Sequence, residues 1–288
     1  MAFCRASEPV AFVVISGRTV LWVPSGGTIM TVLDAFDLQD QTAIVTGGNR
    51  GIGRAIATAL ADVGANVVVA NRSAASGEAV ADELADTTGV ETLAVECDVT
   101  DEDDVAAMVE ATVERFGGID VLVNNAGIVV HEAAETMSLD EWHAVIETNL
   151  TGAFLCSRAA GREMMGDGGG VILNVSSMSA FIANHPQRQV AYNASKAGLE
   201  GFKNQLASEW AEHGIRVNNL APGYVATDNA DQGAEVAENA VDIWTDEMLQ
   251  DEMASPEMLG PTAVYLASDA SAYMTGETIV LDGGYTVR

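Results

Sequence analysis

A single doubly wound α/β domain, a parallel seven-stranded sheet with helices on both faces, is the fold class that this 288-residue sequence predicts. Three observations carry that expectation. Short apolar runs rich in valine alternate with segments of helical spacing, and strict alternation of strand and helix points to a parallel sheet. The runs are nearly continuously apolar, as expected where helices cover both sheet faces. A glycine-rich turn stands between the first run and the first helical segment.

The first run, Ala43 to Val45, leads into Thr46-Gly47-Gly48-Asn49-Arg50-Gly51-Ile52-Gly53 and a helix marked by Ile52, Ile56, Leu60 and Val63. Glycines fall where backbone must turn tightly and approach a pyrophosphate, and the helix N-terminal amides supply an anion site. Strand, glycine loop and helix in that order predict a dinucleotide-binding, Rossmann-type site. The second run, Asn66 to Ala70, ends at Asn71-Arg72-Ser73. An acid there would take both ribose hydroxyls and select NAD. Arg72 instead offers a planar multi-donor partner to a 2′-phosphate, with Arg50 in the glycine loop as a second. NADP(H) is therefore favoured, and NAD(H) stays open because Arg72 also suits a solvated position after a strand.

The third run, Thr92 to Val95, is flanked by helical patterns at Val80 to Leu84 and Val105 to Val113; the fourth is Val121 to Val123. A long helical pattern, Trp142 to Ala159, follows, and then a fifth run, Val171 to Val175. The helix Leu199 to Trp210 precedes the sixth run, Arg216 to Leu220, and Thr278 to Leu281 is the seventh. Between the last two lies an acidic segment, Asp228 to about Pro256, carrying Trp244, Met248 and Met253; it reads as a mobile lid.

Residues 1–35 read as an N-terminal extension to a catalytic domain over 36–288. Residues 1–29 hold one acid, Glu8, whereas acidic composition begins soon after Met30, which makes Met30 the expected initiator. The apolar stretch Val10 to Val23 is broken by Arg18, is shorter than the roughly 20 residues a span requires, and lacks a basic flank, so neither a membrane span nor a signal peptide is expected.

The formal net charge is -29, which repels nucleic acid and anionic membranes and leaves a small molecule as the expected partner. Lysine is nearly absent, two against eleven arginines, and with the acidic shell this fits a halophilic protein whose self-repulsion is screened by molar salt. Cys4, Cys97 and Cys156 form no CxxC pair, which favours a reducing cytoplasm and no zinc site. His131, His143, His185 and His213 have no metal-ligand spacing, so no metal is expected; only His185, in the loop before Tyr192, is placed to touch a substrate.

Tyr192 and Lys196, four apart in Tyr-Asn-Ala-Ser-Lys, share one helix face. A neighbouring ammonium favours the phenolate and brings the phenol toward what a neutral-pH acid or base requires. That one of two lysines stands here indicates that arginine would not serve.

Thr46 to Gly53, Asp98, Asn124-Asn125-Ala126-Gly127, Asn149, Ser176-Ser177, Tyr192 with Lys196, Pro222-Gly223 and Leu281-Asp282-Gly283-Gly284 occur together in order. Over about residue 36 to the end, this resembles the short-chain dehydrogenase/reductase family. The resemblance implies hydride transfer, with Ser177 holding the substrate oxygen, Tyr192 as acid/base, Lys196 binding the nicotinamide ribose and tuning Tyr192, and Asn149 holding a relay water. It implies that Asp98 with Val99 meets the adenine, Asn125, Ala126 and Gly127 form the adenosine-side floor, and Val225 with Thr227 clamps the carboxamide after Pro222-Gly223. It also implies a homotetramer built through the helices of Asn149 and Tyr192. Ser177 to Tyr192 is two residues longer than the family's commonest interval, so Ser179 is the second candidate for the substrate-binding hydroxyl.

The stretch from Ser176 through Asn184-His185-Pro186-Gln187 to Tyr192, with Gly283-Gly284-Tyr285-Thr286, resembles the sugar and polyol branch (mannitol, sorbose and arabinitol dehydrogenases). Asn184, His185, Gln187 and Gln189 suit a polyhydroxylated substrate, or equally a solvated loop. A 3-oxoacyl-[acyl-carrier-protein] reductase is the second reading, although an acidic carrier needs a basic patch that the sequence hardly supplies. Glucose or gluconate dehydrogenase and, remotely, a non-catalytic cofactor-binding subunit complete the alternatives.

Overall fold

A computed structural model describes residues 31–227 and 239–288, together with a two-residue ladder between Val14–Ile15 and Arg18–Thr19. Apart from that ladder and residues 31–35, the expected extension lies outside the described residues, as does 228–238 of the expected lid.

Seven parallel strands form one sheet. They are β1 (Thr42–Thr46), β2 (Asn66–Asn71), β3 (Thr92–Glu96), β4 (Val121–Asn124), β5 (Gly170–Val175), β6 (Ile215–Pro222) and β7 (Thr278–Leu281). Their spatial order is β3-β2-β1-β4-β5-β6-β7. Every run read from the sequence is a strand; the five inner ones are built on buried apolar residues, and the edge strands β3 and β7 are partly exposed.

Successive strand residues point to opposite faces. Ala43, Val45, Val67, Val69, Val121 and Val123 pack on one side, with α1 (Gly51–Asp62), α2 (Ala74–Thr88) and α8 (Gly260–Ala267). Ile44, Val68, Leu122, Ile172 and Val217 pack on the other, with α3 (Glu102–Phe116) and α5 (Gly152–Asp167). Two buried faces explain why the runs are continuous. The chain winds outward from β1 to β3 and then crosses to β4, and such a reversal opens a crevice at the strands' carboxyl ends.

The segment Leu139 to Asp167 divides into α4 (Leu139–Ile146), a π turn over Glu147–Thr151 and α5. Ser138 and Glu141 cap its start reciprocally. The π turn carries Asn149, and such wide turns insert one residue that helical periodicity does not register. α6 (Val190–Trp210) carries Tyr192, Lys196, Glu200 and Lys203.

A buried amide ladder crosses the sheet in register. Asn124 donates to Asn174 at 2.9 Å, Asn174 to Asn219 at 2.9 Å, and Asn219 to the Glu200 carboxylate at 2.9 Å. Glu200 also accepts from Ser176 at 2.7 Å and Thr278 at 2.6 Å, and pairs with Lys203 at 3.3 Å. The ladder joins β4 through β7 just behind the residues that open the site.

Candidate active site

The crevice at the strand ends is a cleft of about 440 Å³. Its first half follows β1 and β2. Gly47 holds φ 64° and Gly51 φ 51°, conformations that favour glycine. A Cβ on Gly53 would lie 2.2 Å from the Gly47 carbonyl oxygen, so α1 can start this close to the loop only with glycine there. Asn125 locks the loop from β4, its Nδ2 donating to the carbonyls of Thr46 at 2.9 Å and Gly47 at 3.1 Å.

Gly47, Asn49, Arg50, Gly51, Ile52 and Gly53 line this half, as do Asn71, Arg72 and Ser73 after β2. Asn49 and Asn71 both donate to Ser76 Oγ, at 3.0 and 3.3 Å, tying the glycine loop to the start of α2. Asp98 and Val99 line it after β3, and Asn125, Ala126 and Gly127 after β4. Hydrogen bonds from Thr100, aided by the Arg72 guanidinium, hold the Asp98 carboxyl below the usual carboxylate range. An arginine-lined glycine cradle with an anionic carboxylate beside it fits a dinucleotide.

Thr46 does not reach the cleft. It is 1% exposed, and its hydroxyl donates to the Val123 carbonyl at 3.2 Å while accepting from the Asn125 and Ala126 amides at 3.0 and 3.1 Å. It shapes the floor from behind.

Ser177, Tyr192 and Lys196 meet at the middle of the cleft. Ser177 follows β5, and its Oγ accepts from the Ser179 amide at 3.1 Å and donates to Ser179 Oγ at 3.1 Å. The Lys196 ammonium donates to the Val175 carbonyl at 2.7 Å and sits 5.5 Å from the centre of the Tyr192 ring. Burial without a counter-ion pulls Lys196 down to about 8.

The expected lowering of Tyr192 is not found. Burial raises the phenol, with only a hydrogen bond from Ser177 opposing it. The ammonium is turned to a backbone carbonyl and over the ring, so its field does not offset desolvation at the hydroxyl. Tyr192 is held as a neutral proton donor.

The Asn149 amide is fully engaged. Its Oδ1 accepts from the Ile128 amide at 2.8 Å, and its Nδ2 donates to the Ile128 carbonyl at 2.9 Å and Ser195 Oγ at 3.0 Å. The side chain ties the loop after β4 to α6.

The far half of the cleft is lined by uncharged groups. Gln187 and Gln189 are buried, at 6% and 8% exposure, whereas His185 and Arg188 beside them are exposed. Gln189 Nε2 donates to Ser179 Oγ at 3.3 Å, Asn184 Oδ1 at 3.1 Å and Asn193 Oδ1 at 3.1 Å. Gln187 Nε2 donates to the Tyr224 hydroxyl at 2.9 Å, and Gln187 Oε1 accepts from Trp244 Nε1 at 3.0 Å. Trp244 stacks on Tyr224 with ring centres 4.3 Å apart.

Trp244 belongs to α7 (Ala240–Glu247), the described part of the expected lid. That part is docked: Trp244 on the helix and Met248 just beyond its end are each 1% exposed and pack with Tyr224, Met253 and Tyr285. The Tyr285 hydroxyl donates to Glu247, holding the chain end against α7.

A family model described as enoyl-(acyl carrier protein) reductase matches residues 47–286. A solved short-chain type dehydrogenase/reductase from Mycobacterium marinum superposes with a TM-score of 0.85 and 42% identity, over 90% of this chain and 100% of that one. The chain belongs to the short-chain dehydrogenase/reductase family. Among its relatives, the 3-oxoacyl-[acyl-carrier-protein] reductase of Synechocystis sp. is 40% identical over 259 residues, 88% of this chain and 98% of that protein. The NADP-dependent mannitol dehydrogenase of Alternaria alternata is 36% identical over 258 residues, 88% of this chain and 96% of that protein.

Several cleft residues of this short-chain dehydrogenase/reductase were not legible in sequence. Pro222, Gly223, Val225 and Thr227 line the cleft as expected, but so does Tyr224 between them. His131 lines it, whereas His185, the expected contact, does not and instead offers its carbonyl to Trp244 at 3.2 Å. Position within a motif signalled Tyr224; nothing signalled that Trp244 would cover it.

Proposed function

We propose that this oxidoreductase transfers hydride between NADP(H) and the carbonyl or secondary alcohol of an uncharged sugar or polyol. The observation that carries the reading is the wholly uncharged, hydrogen-bonding wall of Ser179, Asn184, Gln187, Gln189 and Tyr224 beside Ser177 and Tyr192. Such a wall offers amide and hydroxyl groups that match the hydroxyls of a polyhydroxylated substrate, which supports this reading. The mannitol dehydrogenase relative, NADP-dependent by name, supports both halves of the proposal. For the cofactor, Arg72 and Arg50 border the glycine cradle at the end of β2, where no carboxylate is available to select NAD.

When bound, a nicotinamide supplies or accepts the hydride. Ser177 Oγ orients the substrate oxygen, and Tyr192, neutral because buried, donates its phenolic proton to that oxygen in reduction and recovers it in oxidation. Lys196, its ammonium 5.5 Å from the centre of the Tyr192 ring, would hold the nicotinamide ribose. The Asn149 carbonyl holds water that resupplies the proton. Ser179, hydrogen-bonded to Ser177, is the second substrate-facing hydroxyl.

We propose further that the protein works in molar salt within the cytoplasm and assembles as a homotetramer. Apolar side chains exposed on the helices of Asn149 and Tyr192, Phe154 and Val190 among them, support the assembly. Among the described residues no helix is long and apolar enough to cross a membrane.

The test is initial-rate oxidation of NADPH and NADH in molar KCl with fructose, sorbose, xylulose and a 3-oxoacyl thioester. Ketose reduction with a preference for NADPH is expected. Thioester reduction in its place would move the assignment to the chemistry for which the Synechocystis relative is named.

A further inference from the structure

His131 lies in the loop between β4 and α4, on the substrate side of the cleft. Glu132, next in the chain, forms a parallel bridge with Gln189, which brings this loop against the hydrogen-bonding wall before Tyr192. Both His131 ring nitrogens are shielded from solvent and neither makes a hydrogen bond of normal geometry, the Arg188 backbone acting on the ring only weakly. Among the described residues the other such atoms are two amide oxygens, Asn71 Oδ1 and Asn124 Oδ1, whose Nδ2 atoms are hydrogen-bonded. An imidazole whose shielded nitrogens lack a full set of hydrogen bonds is desolvated without full compensation. Buried polar groups left in this state call for an account in terms of what completes them.

We infer that His131 is a specificity-determining residue, whose imidazole hydrogen-bonds a substrate hydroxyl other than the reacting one. A neutral imidazole carries one donor and one acceptor, and a hydroxyl supplies the complement of either. Burial keeps the ring neutral, its basicity lowered against a weaker upward pull from the Arg188 backbone. The torsion that swings the ring is broad and roughly two-fold, so the ring, which already lines the cleft, can turn a nitrogen toward a hydroxyl there at little cost. The unliganded ring thus stores an unmet hydrogen bond that only a hydroxylated substrate completes. Hydroxylated and bare ketones would be separated here as well as at the glutamine wall.

The inference rests on the sugar or polyol reading, and its test separates the two. The kcat/KM of the full-length protein, wild type, His131→Phe and His131→Asn, is measured with NADPH for a ketose and for a hydroxyl-free ketone of equal carbon number. Nucleotide fluorescence titration of each variant checks that the fold and cofactor cradle persist. His131→Phe is expected to lose about 10- to 100-fold on the ketose and under about threefold on the bare ketone. His131→Asn, which restores a donor and an acceptor, is expected to recover part of the ketose loss. Equal losses on both ketones, or an undiminished ketose rate in His131→Phe, would overturn the role of His131 while leaving the substrate class intact. A wild type that reduces no ketose would overturn the substrate class, and this inference with it.

Discussion

The two lysines of this chain lie seven residues apart on α6, both buried at 4% and 5% exposure, and they use burial in opposite ways. Lys203 is paired with Glu200 at 3.3 Å and donates to Thr278 at 2.8 Å, closing a network that joins three strands and a helix. Lys196 faces only the Val175 carbonyl, and its charge is disfavoured enough to bring it to about 8. One charge is compensated and holds the sheet together; the other is left uncompensated where a cofactor and a phenolate can use it. Exposed cations in this protein are arginines, so lysine is retained only where a compact ammonium is enclosed.

The sharpest way to break this contrast is by activity. Tyr192→Phe and Lys196→Met are each expected to lose at least about 100-fold in kcat, with Tyr192→Phe still binding NADPH in a fluorescence titration. Lys203→Met should stay within a few-fold per folded molecule. A comparable loss at position 203 would mean that the two sites are not divided as described.

Stability should reverse the order. Lys203→Met leaves the Glu200 carboxylate without its cation, and a loss of about 2 kcal/mol is expected in urea unfolding, moderated by the three neutral donors that Glu200 keeps. Lys196→Met removes an uncompensated buried charge and should stabilise the unliganded protein at pH 7 by about 1–2 kcal/mol, reduced by the carbonyl it leaves unpaired. The sign follows from proton binding. Between pH 8 and the ordinary lysine value of 10.5, the unfolded chain holds a proton that the folded chain has released, so wild-type stability rises with pH there. The advantage of Lys196→Met should therefore shrink over that window, and a pH-independent gap would contradict the assignment.

The smallest expected effect is a slope. Hydrogen bonds from Thr278, Ser176 and Asn219, with Lys203, outweigh burial and hold the Glu200 carboxyl below 4.5 in the folded state. Its contribution is present above pH 4.5 and is lost as pH falls through the lowered folded value. Glu200→Gln should flatten that acid limb in thermal unfolding scans, and an unchanged limb would show that other carboxylates set it.

The nucleotide half of the cleft was almost wholly legible, because Gly47 to Gly53, Arg72, Asp98 and Asn125 each follow a strand directly and the strand end fixes their place. Thr46 is the instructive exception: one position before the glycines, it points into the sheet and serves the loop instead of the ligand. The substrate half was legible only in part. Gln187 and Gln189 were recognisable as polar residues near Ser177, but Gln187 is held by Trp244 and Tyr224, respectively 57 and 37 residues further along the chain. His131 lines the cleft and His185 does not, and a lone histidine carries no periodicity that says which way its loop faces.

What the sequence alone determined is the order of elements, the glycine cradle, and the pairing of Tyr192 with Lys196, because hydrophobic period and four-residue helical spacing are local properties of a chain. Only tertiary structure decided the protonation preference of Tyr192, the contrasting fates of the two lysines, and the wall that meets a substrate. Those depend on desolvation and on partners supplied by distant elements, and neither quantity exists until the sheet has closed around them.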